Sequence, residues 1–536
     1  MSNPRNSRRP RWLALAVLVA SVSAIAGALW VWWSGHREPA TRPLVLIGID
    51  GGEWQVVRRL WQEGKLPNLR RVADTGTSGR LNTAYGPSPV IWTTVVTGLK
   101  PTEHGITDFV ISTPRGDLPV SSTIRKAPAL WNMLSQVGRR VVALGFWGSW
   151  PAEVVQGVVV SDRVSLDLPQ TVYPPEFKAR LDRWIASSAG DFKKFMREES
   201  AQNRDFHVAV AARALASEKQ DLLMAYFRSP DIVSHVYWKY FDGRRFPAIP
   251  PAEMLKHKDK VPVVYEAVDD ALGEILEAAG GLRKVNLIIL SDHGFRSEVP
   301  ERVQVQIDFD HVLERLGYLT RDAKGVDFAK SLVFSVGAAP HHPVKKVRFS
   351  LAGRDGKGSV LPGERQALRS RLIADLERLR YTSGVQVFLE RDASPRESAA
   401  GADFAVVMQR DGATPKVLLD GVEERGMVLD FHTLTGTHGP RTKGLFLAAG
   451  PDIARGANVA GISIHDIAPT VLYGLGLPYG RDFAGRPRVD LFTEAFRRRH
   501  PLRAVTSWGR LNADGPTASG ADEALVEELR ALGYLD

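Results

Sequence analysis

A chain of 536 residues with 44% hydrophobic and 24% charged side chains holds enough apolar material for a large folded core, which excludes a disordered or linker-dominated protein. It contains no cysteine, and that excludes disulfides, thiolate metal sites and cysteine nucleophiles together. The net charge of +10 comes from scattered arginines with no basic block interleaved with aromatics, so no dedicated nucleic-acid-binding module is expected.

From Trp12 to Gly35 no residue is charged, and the apolar run is long enough to cross about 30 Å of hydrocarbon as a helix. Arg5, Arg8, Arg9 and Arg11 precede it, while Trp30, Trp32 and Trp33 end it. The positive-inside rule then leaves residues 1–11 in the cytoplasm and everything after His36 outside the cytoplasmic membrane, periplasmic or extracellular. A cleaved signal peptide would have a shorter apolar core followed by small residues, so a single-pass signal anchor over 12–35 is the expectation.

Beyond the anchor, short apolar runs alternate with helical patterns. LVLIGI (Leu44 to Ile49) is the first run, and Asp50 follows it in the turn GIDGGEW. Such uniformly apolar runs suit strands covered on both faces, with chemistry at their carboxyl ends. Next, Ser88 and Pro89 open a periodic apolar stretch, which predicts a helix with serine as N-cap and proline in its first turn. A helix N-terminus favours phosphate, although a serine that merely caps a helix has the same local sequence. A helical pattern spans Leu130 to Val137, and VVALGF (Val141 to Phe146) is a second strand. The polar, helix-rich segment at about 166–220 is expected to form a cap over the site.

The strand DLLMAYF (Asp221 to Phe227) leads into SPDIVSH, where Asp231 and His235 stand one helical turn apart. A helix is expected over Val263 to Ala279. VNLIILS (Val285 to Ser291) then ends in the adjacent Asp292 and His293, two polar groups that are costly to bury unless a charge compensates them. The rhythm breaks over 300–429, which holds a charged helix (about Glu364 to Arg380) and the strand-like runs VQVFLE and FAVVMQ. This reads as a smaller inserted α+β subdomain. His438 lies in the glycine-flanked loop TGTHGP just before the strand GLFLAAG (Gly444 to Gly450).

The expected organisation is therefore an α/β domain with a mostly parallel sheet flanked by helices over 42–299 and 430–495, interrupted by the insert. A tail over 496–536 follows, whose run DEALVEELRALGYLD carries an amphipathic stripe suited to docking on the domain. Any one of these histidines, taken alone, is more often a satisfied polar residue than a ligand. Three aspartates and three histidines beside strand ends are a set that suits metal, and without sulfur the ligands suit zinc, with manganese or iron as alternatives. Six ligands fit two cations better than one.

In this order the motifs resemble the type I phosphodiesterase and nucleotide pyrophosphatase family of the alkaline phosphatase superfamily. The resemblance rests on Asp50 in GIDGG, Ser88 in the segment running to TGLKPTEHGI, Asp231 and His235 in SPDIVSH, Asp292 and His293 in SDHGF, His438 in THG, and HDIAPTVLYGLGLP (His465 to Pro478). It implies an alkaline-phosphatase-like fold, a phosphate ester substrate and two zinc ions. One would be held by Asp231, His235 and His438, the other by Asp50, Asp292 and His293, with Ser88 attacking phosphorus to form a phosphoseryl intermediate.

The chain departs from the family pattern in three places. Serine stands where nucleotide pyrophosphatases carry threonine, Asp108 and Phe109 stand where a phosphate-contacting asparagine is expected, and Pro89 has no backbone N–H to offer. The sulfatase pattern is not met, since Val90 and Trp92 occupy the positions two and four beyond Ser88. A membrane-anchored phosphotransferase acting on lipid or glycan, and an inactive envelope interaction protein, are the alternatives. His104, His465 and Asp466 are expected to fix turns or cap helices.

Overall fold

The computed structural model describes residues 41–531 except 114–115, 189, 191, 197–199, 247–248, 323–324, 337–343, 356–357, 395–397, 399–400, 410–415, 425 and 440–441. The expected membrane span at 12–35 lies outside the described residues. Among those described, no helix is long and apolar enough to cross a membrane.

The chain enters on β1 (Leu44–Ile49) and continues through helices α1 (Trp54–Gln62) and α2 (Pro67–Thr75) to β2 (Thr77–Leu81). Helices α3 (Ser88–Thr97) and α4 (Leu130–Gln136) lead to β3 (Val141–Leu144), β4 (Gly157–Val160) and β5 (Val172–Tyr173). Helix α5 (Ser200–Ala216) precedes β6 (Leu222–Phe227), and α6 (Ser229–Phe241) and α7 (Lys260–Ala278) precede β7 (Asn286–Leu290). After the insert come β8 (Gly444–Ala449), α8 (Ile467–Gly474) and, near the end, α9 (Asp522–Ala531).

These eight strands form one sheet in the order β2-β8-β7-β1-β6-β3-β4-β5. The run β7-β1-β6-β3-β4 is parallel, whereas β8 pairs antiparallel with β7 and β2, and β5 with β4. β8 has the same uniformly apolar composition as its parallel neighbours, because burial on both faces sets composition and says nothing of direction. Successive β1 residues serve opposite cores: Val45, Ile47 and Ile49 pack toward α1, α2, α5, α6 and α7, while Leu44 and Leu46 pack toward α3, α4 and α8.

Within the segment 166–220, expected to form a cap, helix α5 covers the sheet face: its residues Val208 to Ala212 are buried in the same core as Leu223 and Ala225 of β6. The sequence VAVAARALA is apolar nearly all round, and a helix of that kind belongs in an interior layer.

Between Ile307 and Val428 a separate core gathers Phe309, Leu313, Val347, Leu372, Tyr381 and Phe404. It comprises a four-stranded antiparallel sheet, a three-stranded one and the helices Phe309–Arg315 and Arg365–Glu377; Leu379 and Arg380, expected at that helix's end, begin a strand. Two long antiparallel strands, Arg296–Ile307 and Val428–Thr437, run between this core and the main sheet.

Gly48 in β1 sets how closely α3 can lie on the sheet. A methyl group there would stand 2.6 Å from the Trp92 ring and 3.1 Å from that of Tyr226, so only hydrogen lets these two aromatics meet at a centroid distance of 4.6 Å. Gly48→Ala therefore overpacks a rigid aromatic contact and is expected to lower stability by about 1–3 kcal/mol, read from the urea midpoint of unfolding.

Candidate active site

Strands β7, β1 and β6 are neighbours, and their carboxyl ends carry the candidate ligands. Asp50 directly follows β1 and continues the ladder, its N–H donating to the Phe227 carbonyl at 2.8 Å. Asp292 and His293 follow β7 after Ser291, while Asp231 lies in the first turn of α6, just beyond β6. His235 is one turn further along α6. His438 arrives from the other direction, immediately after the ribbon strand Val428–Thr437. All except His438 are buried.

These side chains converge into two groups whose donor atoms lie within 4.8 Å of one another: Asp231, His235 and His438, and Asp50, Asp231 and His293. Asp231 belongs to both. Its Oδ1 lies 3.5 Å from His235 Nε2, 3.8 Å from His293 Nε2 and 4.0 Å from His438 Nε2. Asp292 stands beside the second group, with Oδ2 3.3 Å from His293 Nε2. Its Oδ1 accepts the N–H groups of Gly51 and His293, which hold the carboxylate in place.

The residues fit a cation. His293 Nδ1 lies 3.2 Å from the Gly294 carbonyl and His235 Nδ1 3.0 Å from that of Gly436. A carbonyl can only accept, so in the neutral ring each Nδ1 carries the proton and each Nε2 turns a lone pair toward carboxylate oxygens. His293 Nε2 is buried, makes no hydrogen bond among the described residues and has Asp50 Oδ1 3.6 Å away. Lone pairs facing carboxylates repel, and a cation between them removes the repulsion. Separations of 3.3–4.0 Å are close to those of a tetrahedral site with metal–ligand bonds of about 2.0–2.2 Å, whose ligands stand roughly 3.3–3.6 Å apart. Gly436 is required at its position, since a Cβ would lie 2.4 Å from the Ser234 carbonyl.

Ser88 is buried at the first position of α3, with Pro87 as N-cap, which moves the expected cap by one residue. Among the described residues its hydroxyl caps no backbone N–H and donates to Asp50 Oδ1 at 3.4 Å. Sequence reasoning missed the residue on the other side of this carboxylate. Tyr226 OH donates a short hydrogen bond to Asp50 Oδ2 and accepts one of 2.8 Å from Trp147 Nε1. β1 and β6 run in register with Gly48 opposite Tyr226; the one available signal was a tyrosine at the end of an otherwise apolar strand.

The other polar residues singled out have structural roles. His104 spans Thr94 Oγ1 at 3.0 Å and the N–H of Ile106 at 3.2 Å, fixing the turn after α3, and burial pushes its pKa down to about 3. Asp466 accepts from Ser463 N–H at the start of the turn leading into α8, and His465 meets the Tyr85 hydroxyl at 2.9 Å. Phe109 packs with Val110, Val526 and Leu529, so it offers no polar atom to a substrate.

Burial, reinforced by the charges of Asp292 and Asp231, raises the Asp50 carboxyl well above its ordinary range. Burial also pushes Asp292 up to about 7 and pulls His293 down. In metal-free protein the folded state thus keeps a proton on Asp292 that an unfolded chain releases near pH ~3.9. That contribution to stability is fully present below the unfolded value and is lost as pH rises through about 7. The metal-free protein is expected to show a lower urea midpoint at pH 8 than at pH 5, and Asp292→Asn to flatten the dependence. Tyr226→Phe, which frees one oxygen of Asp50, is expected to weaken divalent-metal affinity by about 10–100-fold in a calorimetric titration.

No curated protein matches the chain. Among solved structures it is similar to human ectonucleotide pyrophosphatase / phosphodiesterase 5, at 17% identity over 84% of this chain and 100% of that one, with a TM-score of 0.44. An inactive variant of the murine protein in complex with AMP gives 16%, 84%, 100% and 0.40. Phosphonoacetate hydrolase from Sinorhizobium meliloti 1021, in complex with phosphonoformate, gives 15%, 82%, 97% and 0.41. Likenesses this loose carry no argument about function. The sequence profile of the family described as type I phosphodiesterase / nucleotide pyrophosphatase, in contrast, matches residues 44–416, more than half of the chain, and the protein belongs to that family of phosphoric ester hydrolases.

Proposed function

We propose that the protein hydrolyses phosphate esters through a phosphoseryl intermediate on Ser88, at a two-cation centre formed by Asp50, Asp231, His235, Asp292, His293 and His438. The observation that carries this reading is the Ser88 hydroxyl, which lies 3.4 Å from Asp50 Oδ1 while Asp50 shares a ligand group with Asp231 and His293. Two divalent cations bound there, zinc by preference and manganese or iron otherwise, would lower the hydroxyl's pKa and neutralise charge on the phosphoryl oxygens.

The chain's own residues divide the remaining work. Asp50 accepts the hydroxyl proton and orients the oxygen, Tyr226 steadies Asp50, and the N-terminus of α3 turns its positive end toward the phosphoryl group. As the Ser88–phosphorus bond forms, the bond to the ester's leaving oxygen breaks and the alcohol departs with a proton. Water then attacks the phosphoseryl group, releasing phosphate or a monoester and restoring the serine. Pro89 gives no N–H, and Asp108 and Phe109 replace the family's asparagine. Recognition of the phosphoryl group therefore rests more on the cations than in nucleotide pyrophosphatases.

The uncharged run from Trp12 to Gly35 and the arginines before it support a single-pass anchor in the cytoplasmic membrane, with the catalytic part outside.

Protein beginning at about His36 is expected to contain two divalent metals per chain and to hydrolyse bis-p-nitrophenyl phosphate or p-nitrophenyl phosphate. Ser88→Ala is expected to lower kcat by about 1000-fold or more while metal content stays unchanged. Protein that contains no metal, or Ser88→Ala that retains activity, overturns the reading. Phosphoryl label found on an added alcohol acceptor rather than in water-derived product reassigns the enzyme as a transferase.

A further inference from the structure

A second charged cluster lies on the far side of Tyr226 from Asp50. Arg163 just beyond β4, Arg204 on α5 and Arg228 at the end of β6 are all buried, at 3%, 4% and 7% exposure. With Trp147 they line a small cavity of about 30 Å³ that is closed by α9 through Leu525, Glu528 and Leu529. The Arg228 guanidinium lies 4.3 Å over the Trp147 ring and that of Arg204 5.2 Å over Tyr226. Since Trp147 Nε1 donates to Tyr226, and Tyr226 to Asp50, the cluster is two hydrogen bonds away from the carboxylate beside Ser88.

The charge balance of this cluster depends on α9. Asp162 accepts the N–H groups of Gly148 and Trp150, and Asp205 those of Arg228 and Ser229 as well as pairing with Arg204 at 2.9 Å. The other two carboxylates come from the last helix: Asp522 meets Arg163 at 3.0 Å, and Glu528 lies 3.7 Å from Arg228. Without α9, the carboxylates that remain around the three guanidinium groups among the described residues are Asp162 and Asp205, both already bound to backbone N–H groups. Arg204 Nε makes no hydrogen bond among the described residues although it is buried, a donor left over in a basic cavity. The other contacts of α9 include a small apolar one, Val526 and Leu529 against Phe109, Val110 and Trp147.

We propose that this arginine cluster is an oxyanion subsite for a phosphate group, which the carboxylates of α9 occupy in the resting chain and which an incoming phosphate takes by displacing the helix. Guanidinium groups match phosphate oxygens in pairs. The cavity now has room for about one water, so a phosphate enters only when Asp522 and Glu528 leave. The C-terminal helix is then a built-in competitor for the subsite. Phosphate binding at this cluster does not depend on hydrolysis at Ser88, because the cluster shares no ligand residue with the metal centre.

The test uses the chain with α9 intact, stripped of metal by chelator so that the metal centre does not bind the probe. Inorganic phosphate is titrated calorimetrically into the parent and into D522N/E528Q, and hydrogen exchange of the α9 amides is followed with and without phosphate. The expected result is phosphate binding at least about tenfold tighter in D522N/E528Q than in the parent, and faster α9 exchange in the parent when phosphate is added. Arg163→Met in the D522N/E528Q background is expected to reverse the gain; should that variant fail to fold, the exchange measurement on the parent stands alone. Equal affinities in parent and D522N/E528Q, or α9 exchange indifferent to phosphate, overturns the proposal. Vesicles with and without phosphatidic acid replace inorganic phosphate in a second arm: faster α9 exchange with phosphatidic acid vesicles as well as with phosphate identifies a lipid headgroup as a source, and faster exchange with phosphate but not with the vesicles identifies a soluble phosphate. Because no turnover is measured, a protein inactive as a hydrolase would leave these outcomes unchanged.

Discussion

Three carboxylates buried at the ends of adjacent strands are the constraint around which this structure is arranged. Asp50, Asp231 and Asp292 are each no more than 1% exposed, and like charges this close, removed from water, repel; burial and the neighbouring charges raise the Asp50 and Asp292 carboxyls. Neighbouring donors meet part of that cost: backbone N–H groups of Gly51 and His293 face Asp292, and Tyr226 donates to Asp50. Three imidazoles turn Nε2 toward Asp231, where a neutral ring's lone pair adds to the repulsion, and cations at the two ligand groups would remove it. The charge pattern is thus informative even though it belongs to no single residue.

The parallel sheet makes this arrangement possible. Parallel strands put all their carboxyl ends on one edge, so residues widely separated in sequence arrive side by side. Asp50 and Tyr226 are 176 positions apart yet share a hydrogen bond, and His235 and Gly436, 201 apart, share another. Helix α3 brings Ser88 to the same edge because Gly48 lets Trp92 approach β1, so the packing of an apolar helix and the position of a hydroxyl follow from one close contact. The ribbon that runs to the separate core of 307–428 has a similar double role: its return strand delivers His438 and the Gly436 carbonyl. The extra core is therefore tied mechanically to one of the ligand groups.

The C-terminal helix links the periphery to this edge. Its apolar side rests on Phe109 and Val110, and its acidic side meets Arg163 and Arg228. Asp108 and Phe109 stand where the family resemblance places a phosphate-contacting asparagine, and here Phe109 is part of that helix's seat.

Local sequence determined a good deal. Apolar runs marked β1, β3, β6, β7 and β8 to within one or two residues, since a strand covered on both faces must be apolar at every position. Asp50, Asp292 and His293 were legible because a polar residue directly after such a run has to emerge at its end, and Ser88 because proline and an apolar period announce a helix start. Tertiary structure alone decided which strands are neighbours, that β8 runs antiparallel, that α5 covers the sheet, that Asp231 stands between both ligand groups and that Tyr226 holds Asp50. Hydrophobic pattern is a property of neighbours in sequence, and it reports burial; the partners of a buried polar group are chosen by contacts hundreds of residues apart, which only the packed sheet brings together.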